Sequence, residues 1–174
     1  MSLFYNRQQE KTITCGNLPH WTQQGKIHFV TFRLADSLPK ERLEQIQKER
    51  QDWDSTHDKP YAEKEMLEYQ RLFSTRVEDW LDAGSGVCIL SHSQCAEIVA
   101  EALRYFDGQR YQLDYWVVMP NHVHVLLKPI EPYTLHEILH SWKSFTFGQF
   151  MKLQLHQGQL WQHESFDHII RSEK

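Results

Sequence analysis

The sequence predicts an α/β (α+β) protein, a ferredoxin-like sandwich in which helices cover a central antiparallel sheet. The predicted elements follow one another as strand, helix, strand, strand, helix and strand, which is the order of that fold. The 174 residues are enough for one buried core and few for two domains of usual size, so we expect one domain over 1–174. Hydrophobic residues make up 40% of the chain and charged residues 24%, the proportions of an ordinary globular protein.

The first predicted strand covers Ile27–Leu34, an alternating segment rich in β-branched and aromatic residues, whereas residues 1–26 are polar and show no periodicity. A helical-hairpin insertion over about 39–82 follows this strand. Its first helix starts at Ser37-Leu-Pro39 and ends at the break Lys59-Pro60. Its second helix runs from about Tyr61 to Leu81, and we interpret its apolar stripe as a face packed on the core. The stripe comprises Met66, Tyr69, Phe73, Val77 and Trp80.

The second half of the chain supplies the remaining elements. Ser91–Gln94 matches a capping box ahead of a helix that runs to about Phe106. Two apolar runs, Tyr111–Met119 and Asn121–Lys128, flank a turn at Pro120-Asn121 and predict a β-hairpin. A further helix is predicted from Thr134 to about Leu155, and a last short strand over Leu160–Phe166.

Composition narrows the class of protein. No apolar run approaches the roughly 18 residues of a membrane span, and Met1–Glu10 lacks a secretory signal, so we expect a soluble cytoplasmic protein. Cys15, Cys88 and Cys95 are odd in number and show no CxxC spacing, which predicts reduced thiols. The net charge of −4 gives no support to nucleic-acid binding, but a local basic face or a bound cation would still attract phosphate.

His122-Val-His124 is the sharpest chemical pattern in the sequence. Side chains two apart in a strand point to the same face, so the two imidazoles can chelate one cation. With 11 histidines in the chain, pairs at this spacing also arise by chance. The spacing alone therefore leaves two readings open, a metal site or histidines that are simply hydrogen-bonded or exposed.

The segment Tyr115-Trp-Val-Val-Met-Pro-Asn-His-Val-His-Val-Leu-Leu127 resembles the hallmark segment of the REP-associated tyrosine transposases, which belong to the HUH nucleases. Further segments resemble that family in the same order, so the resemblance covers nearly the whole chain. They are Leu18–Trp21, Phe29–Pro39, Trp80–Gly84, Ala102–Gly108, Ser141–Phe145, Leu160–Gln162 and Phe166–Arg171.

The resemblance implies an HUH nuclease fold that binds a hairpin-forming single strand of DNA. It implies that His122 and His124 hold Mg²⁺ or Mn²⁺ on the scissile phosphate while a tyrosine attacks it. In the family this tyrosine lies on a helix after the segment that Phe166–Arg171 resembles, and no residue of this chain matches that helix. We therefore expect the nucleophile beyond Lys174 and expect no cleavage by the tyrosine route from this chain.

Three residues are candidates for DNA contacts: Lys143, Trp161 and Arg171. Lysine and arginine neutralise phosphates, and an aromatic face stacks on an unpaired base. Core packing is the competing reading for Trp161, and a solvated helix face is the competing reading for Lys143.

Four other polar or aromatic residues lie near these motifs. We interpret Tyr115 and Tyr133 as structural aromatics and nominate neither as a nucleophile. Asp167 and His168 would join a polar cluster near the metal, although a turn role for Asp167 is equally consistent with the sequence.

The leading hypothesis is a transposase-family domain that binds single-stranded or hairpin DNA at a divalent-metal site. In the complete protein it would serve DNA nicking and strand transfer through a tyrosine. The alternative is a metal-dependent enzyme or metal-binding module that acts on a small molecule, because one fold hosts many functions. We expect no membrane partner, and either a monomer or a homodimer.

Overall fold

The computed structural model describes residues 3–6, 8, 12–15, 19–23, 25–59 and 61–171. They belong to two compact units, one comprising 1–35 and 89–174 and the other 36–88, and each is described by itself. The single domain stays a prediction. The elements in chain order are β1 (Thr12–Cys15), β2 (Pro19–Thr22), β3 (His28–Arg33), α1 (Lys40–Thr56), α2 (Glu63–Tyr69), a π-helical segment (Gln70–Thr75), α3 (Arg76–Asp82), a 3₁₀ turn (Ile89–Ser91), α4 (Ser93–Tyr105), β4 (Tyr111–Val118), β5 (His122–Pro129), α5 (Leu135–Lys152) and β6 (Phe166–Ile169).

Four strands of the first unit form one antiparallel sheet in the order β4-β5-β3-β6. The central pair is β5 with β3, while β4 and β6 flank it. Together with α4 and α5, these strands follow the order β-α-β-β-α-β. The predicted fold class, a mixed α/β protein with a central antiparallel sheet, is confirmed.

One face of this sheet packs on α4 and α5. Val123, Val125 and Leu127 of β5 are buried there, as are Val30 and Phe32 of β3. Because alternate residues of a strand point to opposite faces, the residues between them lie on the other face. The helices complete the core with Ile98, Val99, Leu103, Leu135, Ile138, Leu139, Trp142 and Phe150.

Buried hydroxyl and indole groups add directional contacts to this core. The Tyr111 hydroxyl donates to the Leu103 carbonyl at 2.7 Å and accepts from the Trp142 indole at 2.9 Å. The Trp161 indole donates to Thr146 Oγ1 at 2.8 Å. Each such bond contributes roughly 0.5–1.5 kcal/mol, and losing one partner would strand the other in the core.

The two helices of the first unit lie close to their predicted positions. At the start of α5 the Thr134 hydroxyl accepts from the Glu137 amide, and the Glu137 carboxylate accepts from the Thr134 amide, forming a capping box. The capping box predicted over Ser91–Gln94 is wrong, because His92 is the N-cap of α4 and makes no side-chain cap bond. Ser91 instead ends the 3₁₀ turn.

Two strand predictions need correction. The last strand was predicted over Leu160–Phe166, but β6 covers Phe166–Ile169. The segment before β6 is instead hydrogen-bonded to the end of β3. The Ala35 amide donates to the Leu160 carbonyl, and the Gln162 amide donates to the Arg33 carbonyl. The small antiparallel pair of β1 and β2 lies in the N-terminal region where the sequence showed no periodicity.

The second unit contains the two predicted helical stretches, α1 and the continuous run from α2 through the π-helical segment to α3. Met66, Tyr69 and Phe73 of the predicted stripe are buried, and the Trp53 ring packs edge-on against the last two. The stripe therefore packs on aromatic residues of its own unit. Pro60, half of the predicted break, lies outside the described residues.

Two further observations concern the thiols and the helices. Cys88 and Cys95 are free, and the side chain of Cys15 lies outside the described part of the chain. Among the helices of the described ranges, none combines the length and apolar composition needed to cross a membrane.

Candidate metal centre

The histidine pair lies on β5, on the face of the sheet opposite the helices. Val123 and Val125 point into the core, so alternation directs His122 and His124 to the other face together. His122 is 1% exposed, and His124 is partly exposed. The prediction that both imidazoles project from one strand to one face is met.

The two imidazoles converge through their Nε2 atoms, which lie 2.9 Å apart. At the metal–nitrogen distance of about 2.1 Å that divalent cations favour, this separation corresponds to a ligand–metal–ligand angle of about 90°. A right angle is the octahedral value. The pair could therefore hold a divalent cation at two adjacent positions of an octahedron.

The other ring nitrogen of each histidine, Nδ1, is within hydrogen-bond distance of a polar neighbour. His122 Nδ1 lies 2.8 Å from Asn121 Oδ1, and His124 Nδ1 lies 2.8 Å from Thr31 Oγ1. Metal-binding histidines usually have such a polar partner on the nitrogen away from the ion, because that partner fixes ring orientation and tautomer. Asn121 and Thr31 are both buried, so these contacts are shielded from water.

These four groups can be hydrogen-bonded to one another without an ion. Asn121 Oδ1 can only accept, so His122 Nδ1 donates to it and His122 Nε2 carries a lone pair. His124 Nε2–H can donate to that lone pair while its Nδ1 accepts from the Thr31 hydroxyl. A hydroxyl both donates and accepts, so moving the His124 proton to Nδ1 would direct both Nε2 lone pairs toward a cation.

Backbone contacts position the turn that leads into this strand. The Met119 amide donates to the His122 carbonyl at 2.8 Å, which closes the β4–β5 hairpin. The Leu34 amide donates to the Asn121 carbonyl at 2.9 Å and fastens the turn to the end of β3. Asn121, which the sequence identified as a turn residue, thus also orients His122.

Strand register places further side chains around the pair in two rows that cross all four strands. The nearer row contains His124 itself. It consists of Val117, His124, Thr31 and Phe166. The next row, called here the aromatic row, consists of Tyr115, Leu126, Phe29 and His168.

Phe29 links the aromatic row to the histidine pair. Its ring stacks on His124 at a centroid distance of 5.2 Å and lies equally far from the ring of His168. Burial lowers the pKa of His168, while neighbouring Asp167 acts to raise it and Arg171 to lower it further. His168 therefore tends to stay neutral on this face.

Asp167 and His168 do not form one cluster beside the pair. They are adjacent on β6 and so point to opposite faces: His168 lies opposite Phe29, whereas Asp167 lies opposite Val30 on the core side. Asp167 is 5% exposed and influences the buried His28. Of the two, His168 shares the face of the histidine pair.

Lys143 and Trp161, two of the predicted DNA contacts, line a groove of about 570 Å³ between α5 and the segment before β6. Lys143 Nζ donates to the carbonyls of Gln162 and His163, and burial lowers its pKa to about 8. Trp161 is 6% exposed and packs on Phe32, so its ring would have to be uncovered before a base could stack on it.

The same groove bears on the small-molecule alternative. Its volume falls within the range typical of small-molecule pockets, roughly 300–1,000 Å³. Its lining includes neither His122 nor His124. The groove therefore does not bring a small molecule to the histidine pair.

Arg171 and the two tyrosines lie at the surface. Arg171 follows β6, is exposed, and has its guanidinium 5.7 Å from the ring centroid of Tyr5. Tyr133 is 38% exposed and faces Arg110. Tyr115 is 77% exposed, so its interpretation as a packed structural aromatic is wrong.

Thr31 and Phe29 are the site residues that the sequence did not reveal. Neither has a sequence signal of its own. Thr31 is near the site because it pairs with His124, and Phe29 is near it because it pairs with Leu126, two residues further along β5. Given the register of β3 against β5, the pairing of Thr31 with His124 would have followed. Register is a long-range property that local pattern does not supply.

Comparison with known proteins gives likeness in structure and none in sequence. No family model matches the sequence, and no curated protein matches it. A solved structure described as a REP-associated tyrosine transposase bound to a REP hairpin is similar, at 13% identity and a TM-score of 0.45. The match covers 91% of this chain and 64% of that chain, so this chain spans less than two thirds of its length. At this level the likeness assigns no role to any residue here.

Proposed function

We propose that this chain holds Mg²⁺ or Mn²⁺ on His122 and His124 and binds single-stranded or hairpin DNA at that cation, as a domain of a transposase-type nuclease. The observation that carries the proposal is the convergence of the two Nε2 atoms at 2.9 Å with both Nδ1 atoms held by buried partners. Polar partners on both Nδ1 atoms are typical of histidines that bind a metal through the opposite ring nitrogen.

A cation bound there would polarise a non-bridging phosphate oxygen and orient the phosphodiester. The chain's own contribution is to fix two of the ligand atoms and to leave the remaining coordination positions to oxygen donors, which Mg²⁺ and Mn²⁺ prefer. His124 is the more exposed of the two histidines, so a phosphate would approach from its side. The proposal assigns no nucleophile to this chain.

The charge of the face suits a phosphate backbone better than the net charge suggests. Arg33 is paired with His122, and Lys128 with Gln112, on the same face as the histidines. The chain is acidic overall, at −4, so these two cations work against the net charge. Asp114 lies nearby on β4, at a bulge.

The predicted DNA contacts enter the proposal unequally. Arg171 is exposed and acts electrostatically on His168, which supports a phosphate contact at the β6 side of the face. Lys143 and Trp161 are engaged with protein groups, and their DNA contacts remain predictions. The oligomeric state, monomer or homodimer, also stays a prediction.

Mn²⁺ titration, followed through the electron paramagnetic resonance of the free ion, tests the cation. We expect one site in the wild-type chain and affinity lower by roughly 100-fold in His124→Ala, since orienting groups alone already contribute about 10- to 100-fold. His136→Ala is the matched control, because His136 is an exposed histidine on α5. Unchanged Mn²⁺ affinity in His124→Ala would overturn the cation site.

A second measurement tests the DNA. Fluorescence polarisation of a labelled hairpin and of a mixed-sequence duplex, each at two salt concentrations, should show preference for the hairpin and weaker binding at high salt. Absence of hairpin binding at low salt would overturn the DNA assignment and favour the small-molecule alternative.

A further inference from the structure

The aromatic row, Tyr115, Leu126, Phe29 and His168, crosses the sheet directly beside the row that contains His124. It spans three strand spacings, about 14 Å. Three of its four members carry π-faces, and Tyr115 at one end is 77% exposed. One exposed tyrosine is common on a protein surface. Here, however, strand register aligns Tyr115 with the rings of Phe29 and His168 on the face that carries the histidine pair.

The row is continuous with the histidine pair rather than merely near it. Phe29 stacks on His124 at 5.2 Å with an interplanar angle of 25°. His168 lies 5.2 Å from Phe29 on the other side, and Phe166 packs 5.4 Å from His168. The aromatic row is therefore adjacent to the position that a phosphate bound to the cation would occupy.

Resting on the function proposed above, we propose that the aromatic row is a base-stacking platform that holds unpaired nucleotides of a DNA strand next to the cation. Aromatic side chains bind single strands because every base has a π-face and an unpaired base is free to stack. A four-stranded sheet with aromatic residues on its open face typically stacks two or three bases.

The charge and polarity of the row favour a nucleic acid over a protein partner. The row has no charged member, and Lys128 and Arg33 lie on the same face, one on either side of it along the strands. Neutral rings between cationic groups match the bases and phosphates of a strand.

Tyr115 is the residue to change, because it is exposed on an edge strand and its removal disturbs no core contact. Tyr115→Ala should weaken binding of a single-stranded deoxyoligonucleotide by roughly 5- to 150-fold, the range for losing one stacked base. Tyr115→Phe keeps the ring and should bind like wild type. The matched control is Tyr105→Ala, since Tyr105 is 73% exposed at the end of α4.

Two readouts separate stacking from a general effect on the surface. An oligonucleotide that carries 2-aminopurine should lose fluorescence on binding wild type and Tyr115→Phe, and keep it with Tyr115→Ala. The slope of log affinity against log salt should stay unchanged in Tyr115→Ala, whereas Lys128→Met should reduce it by about one. A changed slope in Tyr115→Ala would contradict stacking.

The outcomes distinguish this platform from the function on which it rests. If wild type binds Mn²⁺ and the strand but Tyr115→Ala binds equally well, the platform is overturned and the function stands. If wild type binds no single strand at low salt, both are overturned. Tighter binding of the matching oligoribonucleotide than of the deoxy strand would overturn the assignment to DNA.

Discussion

The Thr31 hydroxyl lies 2.8 Å from His124 Nδ1, across the pairing of β3 with β5. This one group can donate to the ring when His124 Nε2 carries the proton, and accept from the ring when Nε2 binds a cation. Thr31 is 4% exposed, so water does not readily replace it. The contact lets His124 exchange tautomers without leaving a buried nitrogen unpaired.

Replacing this hydroxyl should weaken the cation site. Thr31→Val keeps the shape of the side chain but removes both hydrogen-bonding roles, and we expect Mn²⁺ affinity to fall by about 10- to 100-fold in calorimetric titration. Thr31→Ser retains the hydroxyl and should recover most of the affinity. Equal affinity in the Val and Ser variants would show that Thr31 does not orient His124.

Lys143 should make stability rise with pH in the alkaline range. Burial lowers its pKa from 10.5 to about 8, so between these values the unfolded chain binds more protons than the folded chain. Stability contributed by this residue therefore increases as pH rises through that window. Urea unfolding midpoints of wild type and Lys143→Met should diverge there, with the flatter pH dependence in the variant.

The control for this measurement is Lys152→Met, because Lys152 is an exposed lysine in the last turn of the same helix. Its pH dependence should follow that of wild type. Parallel curves for wild type and Lys143→Met across the window would show that Lys143 is not held in a buried setting.

His28 should make the fold sensitive to acid. It is 1% exposed, its Nδ1 lies 3.0 Å from the Lys26 carbonyl, and burial lowers its pKa below 6.5, with Asp167 opposing the shift. Below pH 6.5 the unfolded chain gains this proton first, so stability falls as pH falls. The pH dependence of the urea midpoint should be shallower in His28→Asn than in wild type.

His136→Asn serves as the control, since His136 is exposed on α5. That variant should lose stability with acid as steeply as wild type does. A His28→Asn curve with the wild-type slope would mean that His28 takes up its proton in the folded protein without penalty.

Gly86 should be intolerant of a side chain. Its φ is +91°, and a Cβ there would lie 2.5 Å from the Asp36 carbonyl oxygen. Gly84 also has positive φ, at +73°, but open space around it. Gly84→Ala should cost about 1–2 kcal/mol of unfolding free energy, and Gly86→Ala roughly 1–3 kcal/mol more. Equal urea midpoints for the two variants would contradict this close approach.

Local pattern was sufficient for much of the fold. Alternation within His122–Pro129 predicts which residues face the core, and helical spacing after Thr134 predicts α5. The hairpin turn at Pro120-Asn121 follows from turn chemistry. These features depend on residues close in sequence, and they place both histidines on one face.

Features set by distant pairing were not accessible in the same way. Leu160–Phe166 has strand-like composition, but backbone bonds to Ala35 and Arg33 occupy this segment and β6 begins at its end. Thr31 and Tyr115 take their roles from register across neighbouring strands. Composition also misjudged Tyr115, because an aromatic residue on an edge strand is buried only if another element covers it.

The histidines lie on a strand that is hydrogen-bonded to a neighbour on each side. Their backbone is therefore rigid before any ion arrives, and chelation should withdraw the ion without unfolding the sheet, unlike small domains that fold around their metal. The binding free energy of an ion would then come mainly from coordination, because little conformational entropy of the strand is lost on binding. A cation site built this way would exchange its ion many times without any refolding of the strand that carries it.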